Sequence, residues 1–264
     1  MKVLLIAGGS GSRAKPFSQY TPKPMICLEG RPIIDHIIRY LARFSIVEEF
    51  IIVCEFDDHG KQIINYFEGK ESIIGKQIAF MEDKKNGTGG AILNAETAIG
   101  SDDSFIVWFA DNLCALDISS FAKQYKFLNE NQKNRGKNVI GMVVTRDHRR
   151  EETGRVVCDP IEPSKILKFS EKPFTKLDLP ETLGIYIFNK ALFSFINQQK
   201  DGHMVGNSID LSFDILAKLP PLGFDLYSYP ITQNTDWIDV ESPVYAERNT
   251  ELVKRILVQM DVMK

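Results

Sequence analysis

The chain has 264 residues, 44% hydrophobic and 25% charged, with a formal net charge of −3 and a pI near 5.9. That composition supports one sizeable core and leaves no electrostatic footprint for nucleic acid or an anionic membrane surface, so a polyanionic partner is not expected. No run approaches a membrane span and the first apolar stretch is too short for a secretory signal, which predicts a cytoplasmic protein without a membrane partner.

In chain order, "KVLLIA" (2–7) is a continuous apolar run, as in a strand buried on both faces. It runs into Gly8, Gly9 and Gly11, then Arg13, then a segment carrying Pro16, Pro22, Lys23 and Pro24. Ile33, Ile34, Ile37, Ile38 and Leu41 recur at helical spacing, with Pro32 suited to the first turn. "FIIVC" (50–54) predicts a strand, Ile63, Ile64 and Phe67 a helix, "QIAFM" (77–81) a strand, and "GTGGAILNAETAI" (87–99) a helix capped by Thr88. "SFIVWFA" (104–110) is a strand ending in Asp111, followed by a helix over 121–128 and a strand over 138–144. Strands alternating with helices imply a parallel sheet covered on both faces.

After about residue 150 the texture changes to short strand-like pieces, "GRVVCD", "KILKFSEKP" and "TLGIYIFN". Helices are expected near 190–198 and 208–219, a strand pair around "DLYSYPI" and "DWIDV", and a C-terminal amphipathic helix over "SPVYAERNTELVKRILVQM". With no linker and no internal repeat, this half reads as a lobe built onto the same sheet. The run "DHRREE" (147–152) reads as a solvated loop. Cys27, Cys54, Cys114 and Cys158 lack metal-site spacing and read as reduced core or near-core residues.

A strand delivering Gly8, Gly9 and Gly11 presents backbone N–H groups that a phosphate can approach, with Arg13 and Lys23 supplying charge from the same loop. From the glycines alone, a tight turn with solvent-facing basic residues is an equal reading. A Walker A loop is excluded, since no Gly-Lys pair here is followed by Ser or Thr. Residues 9–14 satisfy G-x-G-x-x-[GA] as a string, but the prolines that follow oppose the helix a dinucleotide fold needs there, and the acid expected some twenty residues on is missing.

"AGGSGSRAKPFSQYTPKPMICLEGRP" resembles the signature of the sugar-1-phosphate nucleotidylyltransferases, L-A-G-G-x-G-T-R-L-x-P-L-T-x-x-x-P-K-P-M-x-x-x-x-G-x-P, with Ser12, Ala14 and Phe17 as mild departures. Further likenesses continue in order: "GTGGAI" to the base-binding turn, "FADN" to G-D-N, "GRVVCD…ILKFSEKP" to Y-G-V-V…F-x-E-K-P, "LGIYIFN" to N-A-G-I-Y-V-F, and "DWIDVESP" to W-x-D-V-G-T-P.

The resemblance implies a Rossmann-like α/β/α sandwich of the nucleotide-diphospho-sugar transferase type, with a mainly parallel mixed central sheet and a smaller sugar-binding lobe. It implies one domain over 1–264: a nucleotide-binding half (1–150), a sugar-binding half (151–241) and a C-terminal helix (242–264). The implied reaction joins a nucleoside triphosphate to a sugar 1-phosphate. Arg13, Lys23 and Asp111 are the expected catalytic residues, and Ala7, Gly8, Gly9, Gly11, Ser12, Arg13, Glu82, Gly87 and Thr88 the nucleotide-binding ones. Gly154, Glu171, Lys172 and Gly184 match sugar-phosphate positions, and Asp111 with Asp239 is expected to hold Mg²⁺, the expected cofactor. Taken without the resemblance, Asp111 reads equally as a turn-forming residue, Asp239 as a hydrogen-bonded or capping acid, and Glu171-Lys172 as a surface turn. Tyr186 is either near the sugar or in the core.

Glu82 stands where thymidylyl- and uridylyltransferases usually carry Gln, five residues before Gly87. A carboxylate only accepts hydrogen bonds, which suits the paired donors of guanine or the exocyclic amine of adenine or cytosine, and the sequence leans to GTP with mannose 1-phosphate. A dTTP- or UTP-dependent glucose-1-phosphate enzyme and a catalytically weak regulatory subunit stand as alternatives, and a homo-oligomer is left open. The principal departure is Glu241-Ser242 in place of the family's Gly-Thr after the metal-binding acid. That carboxylate tightens metal binding, points to solvent, or signals a changed substrate.

Overall fold

The computed structural model describes residues 1–9, 11–137, 139–147, 153–172, 179–202 and 208–262. Strand β1 (Lys2–Ile6) leads into a loop of three short 3-10 turns and the small hairpin β2 (Cys27–Leu28) and β3 (Arg31–Pro32). Helix α1 (Ile33–Ala42), β4 (Glu49–Cys54), α2 (Lys61–Phe67), α3 (Glu71–Ile74) and β5 (Gln77–Glu82) follow. Next come α4 (Gly87–Asn94), α5 (Glu96–Ile99), β6 (Ser104–Phe109), β7 (Asn112–Cys114), α6 (Ile118–Lys133) and β8 (Val139–Arg146). The rest comprises β9 (Arg155–Cys158), β10 (Ile166–Ser170), β11 (Glu181–Asn189), α7 (Ala191–Gly202), a π-helical turn Leu211–Leu216, β12 (Asp225–Pro230), β13 (Trp237–Asp239), α8 (Pro243–Arg248) and α9 (Thr250–Val262).

Among the described residues, nine strands form the main sheet, in the order β10-β9-β11-β6-β1-β4-β5, with β8 and β12 attached through β11. β1 pairs in parallel with both β4 and β6, and β11 runs antiparallel to β6, so the second half of the chain is built into the same sheet. Alternate residues of β1 feed two cores. Val3 and Leu5 pack in the cluster with α1, α6 and α9, while Leu4 and Ile6 pack in the one with α4 and α7. Side chains two apart on a strand share a face, and apolar layers on both faces explain why these strands read as continuous hydrophobic runs. The α/β/α sandwich with a mainly parallel mixed sheet is therefore present.

Five expectations need correction. β12 and β13 do not pair with each other: β12 runs parallel to β8, and β13 runs antiparallel to β7. The C-terminal amphipathic stretch is two helices, because Ser242 caps α8 and Asn249 ends it before α9 begins. Thr88 does not cap α4; Asn86 precedes that helix, and the Thr88 hydroxyl instead accepts from the Leu211 N–H at 2.8 Å. The helix expected over 208–219 is only the six-residue turn Leu211–Leu216, capped by Asp210. Cys27 is exposed in the two-residue strand β2 rather than near the core, whereas Cys54 and Cys114 are buried and burial pushes both thiols up to about 12. Residues 148–152 of the charged run and Pro173 lie outside the described residues.

Candidate active site

The glycine loop leaves the carboxyl end of β1, flanked by β4 and β6, at the edge where open α/β sheets collect ligands. Ala7 is buried and donates to Val53 O at 2.9 Å, which extends the β1–β4 ladder up to Gly8. Gly9 (φ 117°) and Gly11 (φ 53°) adopt conformations that L side chains rarely take, and a Cβ on Gly11 would stand 2.8 Å from Ser18 Cβ. Ser12 opens the turn Ser12–Ala14, which carries Arg13, and Lys23 opens the turn Lys23–Met25. The prolines thus produce tight turns and not a helix, as their missing N–H groups dictate.

Asp111 and Asp239 are brought together by strands too short to leave a sequence pattern. β13 pairs with β7 in the register Asp239↔Asn112, and Val240 N–H donates to Asp111 O at 2.9 Å. Lys23 then donates to Asp111 Oδ2 at 2.6 Å and to Asp239 Oδ1 at 3.0 Å. Burial opposes the lysine charge, but the two carboxylates outweigh it and hold the ammonium above its usual range. Burial, reinforced by the Asp111 charge, pushes the Asp239 carboxyl up to about 6 despite Lys23. Asp111 and Asp239 offer hard carboxylate oxygens, the donors with which the chain could hold an ion such as Mg²⁺, and here both accept from the Lys23 ammonium. Asn112, beside them, donates to Asp111 Oδ1 at 3.0 Å, while its own buried Oδ1 has no hydrogen-bond partner among the described residues.

These acids stand at one end of a cavity of about 550 Å³ that is also lined by Arg13, Glu241, Gly154, Glu171, Lys172, Gly184 and Tyr186. Arg13 donates to Glu241 Oε1 at 2.9 Å, so the departure from the family pattern meets the glycine loop directly. Gly154 and Gly184 permit close approach. A Cβ on Gly154 would lie 2.9 Å from Glu171 Oε2, and one on Gly184, itself at φ 70°, would lie 2.9 Å from Asn112 Nδ2. Burial raises the Glu171 carboxyl above its ordinary value, assisted by Asp210 and opposed by a hydrogen bond from Ser212 and the charge of Lys172. Tyr186 is a core residue, 3% exposed and stacked on Phe188, and it also lines this cavity.

A second cavity of about 560 Å³ adjoins the first through Thr88 and is lined by Gly9, Glu55, His59, Asp83, Lys85 and Gly87 among others. Glu82 is exposed and lines neither cavity; its neighbour Asp83 does, with Oδ2 only 1.8 Å from where a Cβ on Gly8 would stand. Lys85 N–H donates to Asp83 Oδ1 at 2.9 Å and fixes the carboxylate there. Gly87 (φ 82°) starts α4 against the backbone of Ile209, whose carbonyl accepts from Gly89 N–H at 2.8 Å. Asp83, Asp210 and Ser212 are cavity residues that sequence reasoning missed. Asp210 had one usable signal, an acid just before an apolar run, and Asp83 had none.

The model of a family described as nucleotidyl transferase matches residues 2–240. The chain belongs to the nucleotidyl transferase family. Among curated members, the mannose-1-phosphate guanyltransferase of Aspergillus oryzae is 30% identical over 247 residues, 92% of this chain and 61% of that protein. The UTP–glucose-1-phosphate uridylyltransferase of Synechocystis is 26% identical over 256 residues, 91% of this chain and 60% of that protein. The chain thus spans about 60% of the length of these relatives. Its fold is shared with a Bacillus anthracis protein solved in complex with sucrose (TM-score 0.79, 21% identity, 100% of this chain and 97% of that one). A UDP-glucose pyrophosphorylase solved with UDP-glucose is also alike (TM-score 0.71, 20% identity, 98% and 97%). No helix among the described residues is long and apolar enough to cross a membrane.

Proposed function

We propose that the chain transfers a nucleotidyl group from a nucleoside triphosphate to a sugar 1-phosphate. An oxygen of the sugar phosphate forms a bond to the α-phosphorus, the bond to the β-phosphate bridging oxygen breaks, and pyrophosphate leaves with that oxygen. A phosphate monoester is largely dianionic at neutral pH, so no general base is needed and catalysis is positioning with charge neutralisation. The observation that carries this reading is the Lys23 ammonium set between Asp111 and Asp239 at the edge of the shared cleft.

In this reading Lys23 neutralises charge developing at the α-phosphate and Arg13 takes the leaving phosphates through its planar fork. Asp111 and Asp239 would hold Mg²⁺, which when bound would supply Lewis-acid charge to the phosphates. Glu171 would accept from sugar hydroxyls, Lys172 would meet the sugar phosphate, and Gly154 and Gly184 would bring the backbone close. The base is assigned to the cavity with Asp83, Gly87 and Thr88. GTP with mannose 1-phosphate is the favoured pair, supported by the guanyltransferase relatives and by the carboxylates of Glu55 and Asp83 facing that cavity. The uridylyltransferase relative favours UTP with glucose 1-phosphate as the second reading.

The test is pyrophosphate release with Mg²⁺ across the common triphosphates and the 1-phosphates of glucose, mannose, galactose and N-acetylglucosamine, with Asp111→Ala as the blank. Turnover on one triphosphate establishes the activity and its base. Silence on every pair, with nucleotide-sugar binding retained, supports a regulatory subunit instead.

A further inference from the structure

Glu241 stands where the family-like segment has glycine, and its carboxylate accepts from the Arg13 guanidinium at 2.9 Å, across 228 residues of chain. The Arg13 side chain is 50% exposed and that of Glu241 23%, and both line the cavity that holds Asp111 and Asp239. Both cations of the glycine loop therefore face carboxylates, but in different settings. Lys23 is largely enclosed between two acids, whereas Arg13 lies half in water on a carboxylate that is not one of that pair. A guanidinium presents the same planar fork to carboxylate and phosphate, so it can exchange one for the other without rearranging its donors. The loop geometry also limits where Arg13 can rest: Gly11 is at φ 53° and is pinned by Ser18 Oγ donating to its carbonyl at 2.7 Å.

We propose that Glu241 is a positioning residue that holds the Arg13 guanidinium over the cleft until a polyphosphate takes it, and that this competition sets the affinity for the triphosphate chain. The inference rests on the nucleotidyl-transfer reading for the identity of the ligand. The contact itself requires neither base nor sugar, so inorganic tripolyphosphate serves as the probe.

Tripolyphosphate is titrated into the full chain by calorimetry at low salt. Half-exposed ion pairs contribute little, so Glu241→Gln should tighten binding about three- to five-fold, and Glu241→Asp should stay within about two-fold of the parent. In an Arg13→Ala background the same Glu241→Gln change should alter affinity by less than about two-fold, because the competitor then has nothing to hold. The KM for the preferred triphosphate should fall with Glu241→Gln by the factor seen with tripolyphosphate. An equal gain in both backgrounds would make Glu241 merely a nearby negative charge and overturn the proposal. No gain in the parent background, or no tripolyphosphate binding by the parent chain, would overturn it as well. Failure of the nucleotidyl-transfer reading is distinguishable, since it appears as absent pyrophosphate release on every substrate pair while the titration result stands by itself.

Discussion

Lys23 and Asp239 meet at 3.0 Å although 216 residues separate them, and the contact closes a triangle with Asp111 at the carboxyl edge of the sheet. One cation between two acids is an incomplete arrangement. It leaves a net negative charge that a divalent ion on the carboxylates and an incoming phosphate on the lysine would jointly resolve.

Lys23→Met should lower pyrophosphate release by about two to three orders of magnitude, the usual loss when one preorganised donor to a developing charge is removed. The fold should survive, since Lys23 lies on an irregular loop at the cleft. Steady-state kinetics beside a thermal melt would separate the two effects, and a variant that is unfolded and inactive would count against the catalytic role.

Metal binding should weaken as pH falls through about 6, where the raised Asp239 carboxyl takes a proton. Isothermal titration of Mg²⁺ at pH 7.5 and 5.5 should show the loss, and Asp239→Asn should remove the pH dependence along with most of the affinity. In the metal-free protein the linkage has the opposite sense for stability. A carboxyl whose folded pKa lies above its unfolded one binds the proton more tightly in the fold, so its contribution to stability declines as pH rises from about 4 towards 6.

Asp83→Asn should change nucleotide preference, while Glu82→Gln should leave it within about two-fold. If Asp83 reads base donors, one hydrogen bond to a charged group corresponds to roughly a tenfold change in the ratio of kcat/KM between GTP and UTP. The ratio measured for both variants decides which acid faces the base.

Gly87→Ala should destabilise the chain by about 2–4 kcal/mol, from the left-handed backbone and from overpacking. An added Cβ would stand 2.4 Å from the Ile209 carbonyl oxygen, a backbone atom tied into the same seam. A drop in Tm of roughly 5–10 °C would be expected for a chain of this size. An unchanged Tm would mean that the 208–211 segment moves aside freely.

Much of the fold was legible because both faces of the sheet are covered, which writes β1, β4 and β6 as unbroken apolar runs and α1 as an amphipathic repeat. The elements missed were short or tertiary in origin. β7 and β13 have three residues each, too few for periodicity, and their pairing, which joins Asp111 to Asp239, depends on long-range packing. The split between α8 and α9 depends on the Ser242 cap, which hydrophobic spacing does not register. At the site, Arg13, Lys23, Asp111 and Asp239 could be singled out one by one. The contact between Arg13 and Glu241 could not, since nothing local in either segment indicates the other. Glu82 and Asp83 show a related limit: at the end of a strand, adjacent side chains face opposite sides, and one residue of register decides which acid enters the cavity.

The seam between α4 and the 208–211 segment sets a limit on redesign. Ile209 donates to Asn86 O at 2.8 Å, Gly89 donates back to Ile209 O at 2.8 Å, and Leu211 donates to Thr88 Oγ1 at 2.8 Å, while Thr88 itself borders both cavities. A graft of residues 208–216 from a relative would therefore disturb the border of both cavities at once. Glu171 is tied to the same segment through its hydrogen bond with Ser212 and the charge of Asp210, so a change made at Glu171 also acts on this seam.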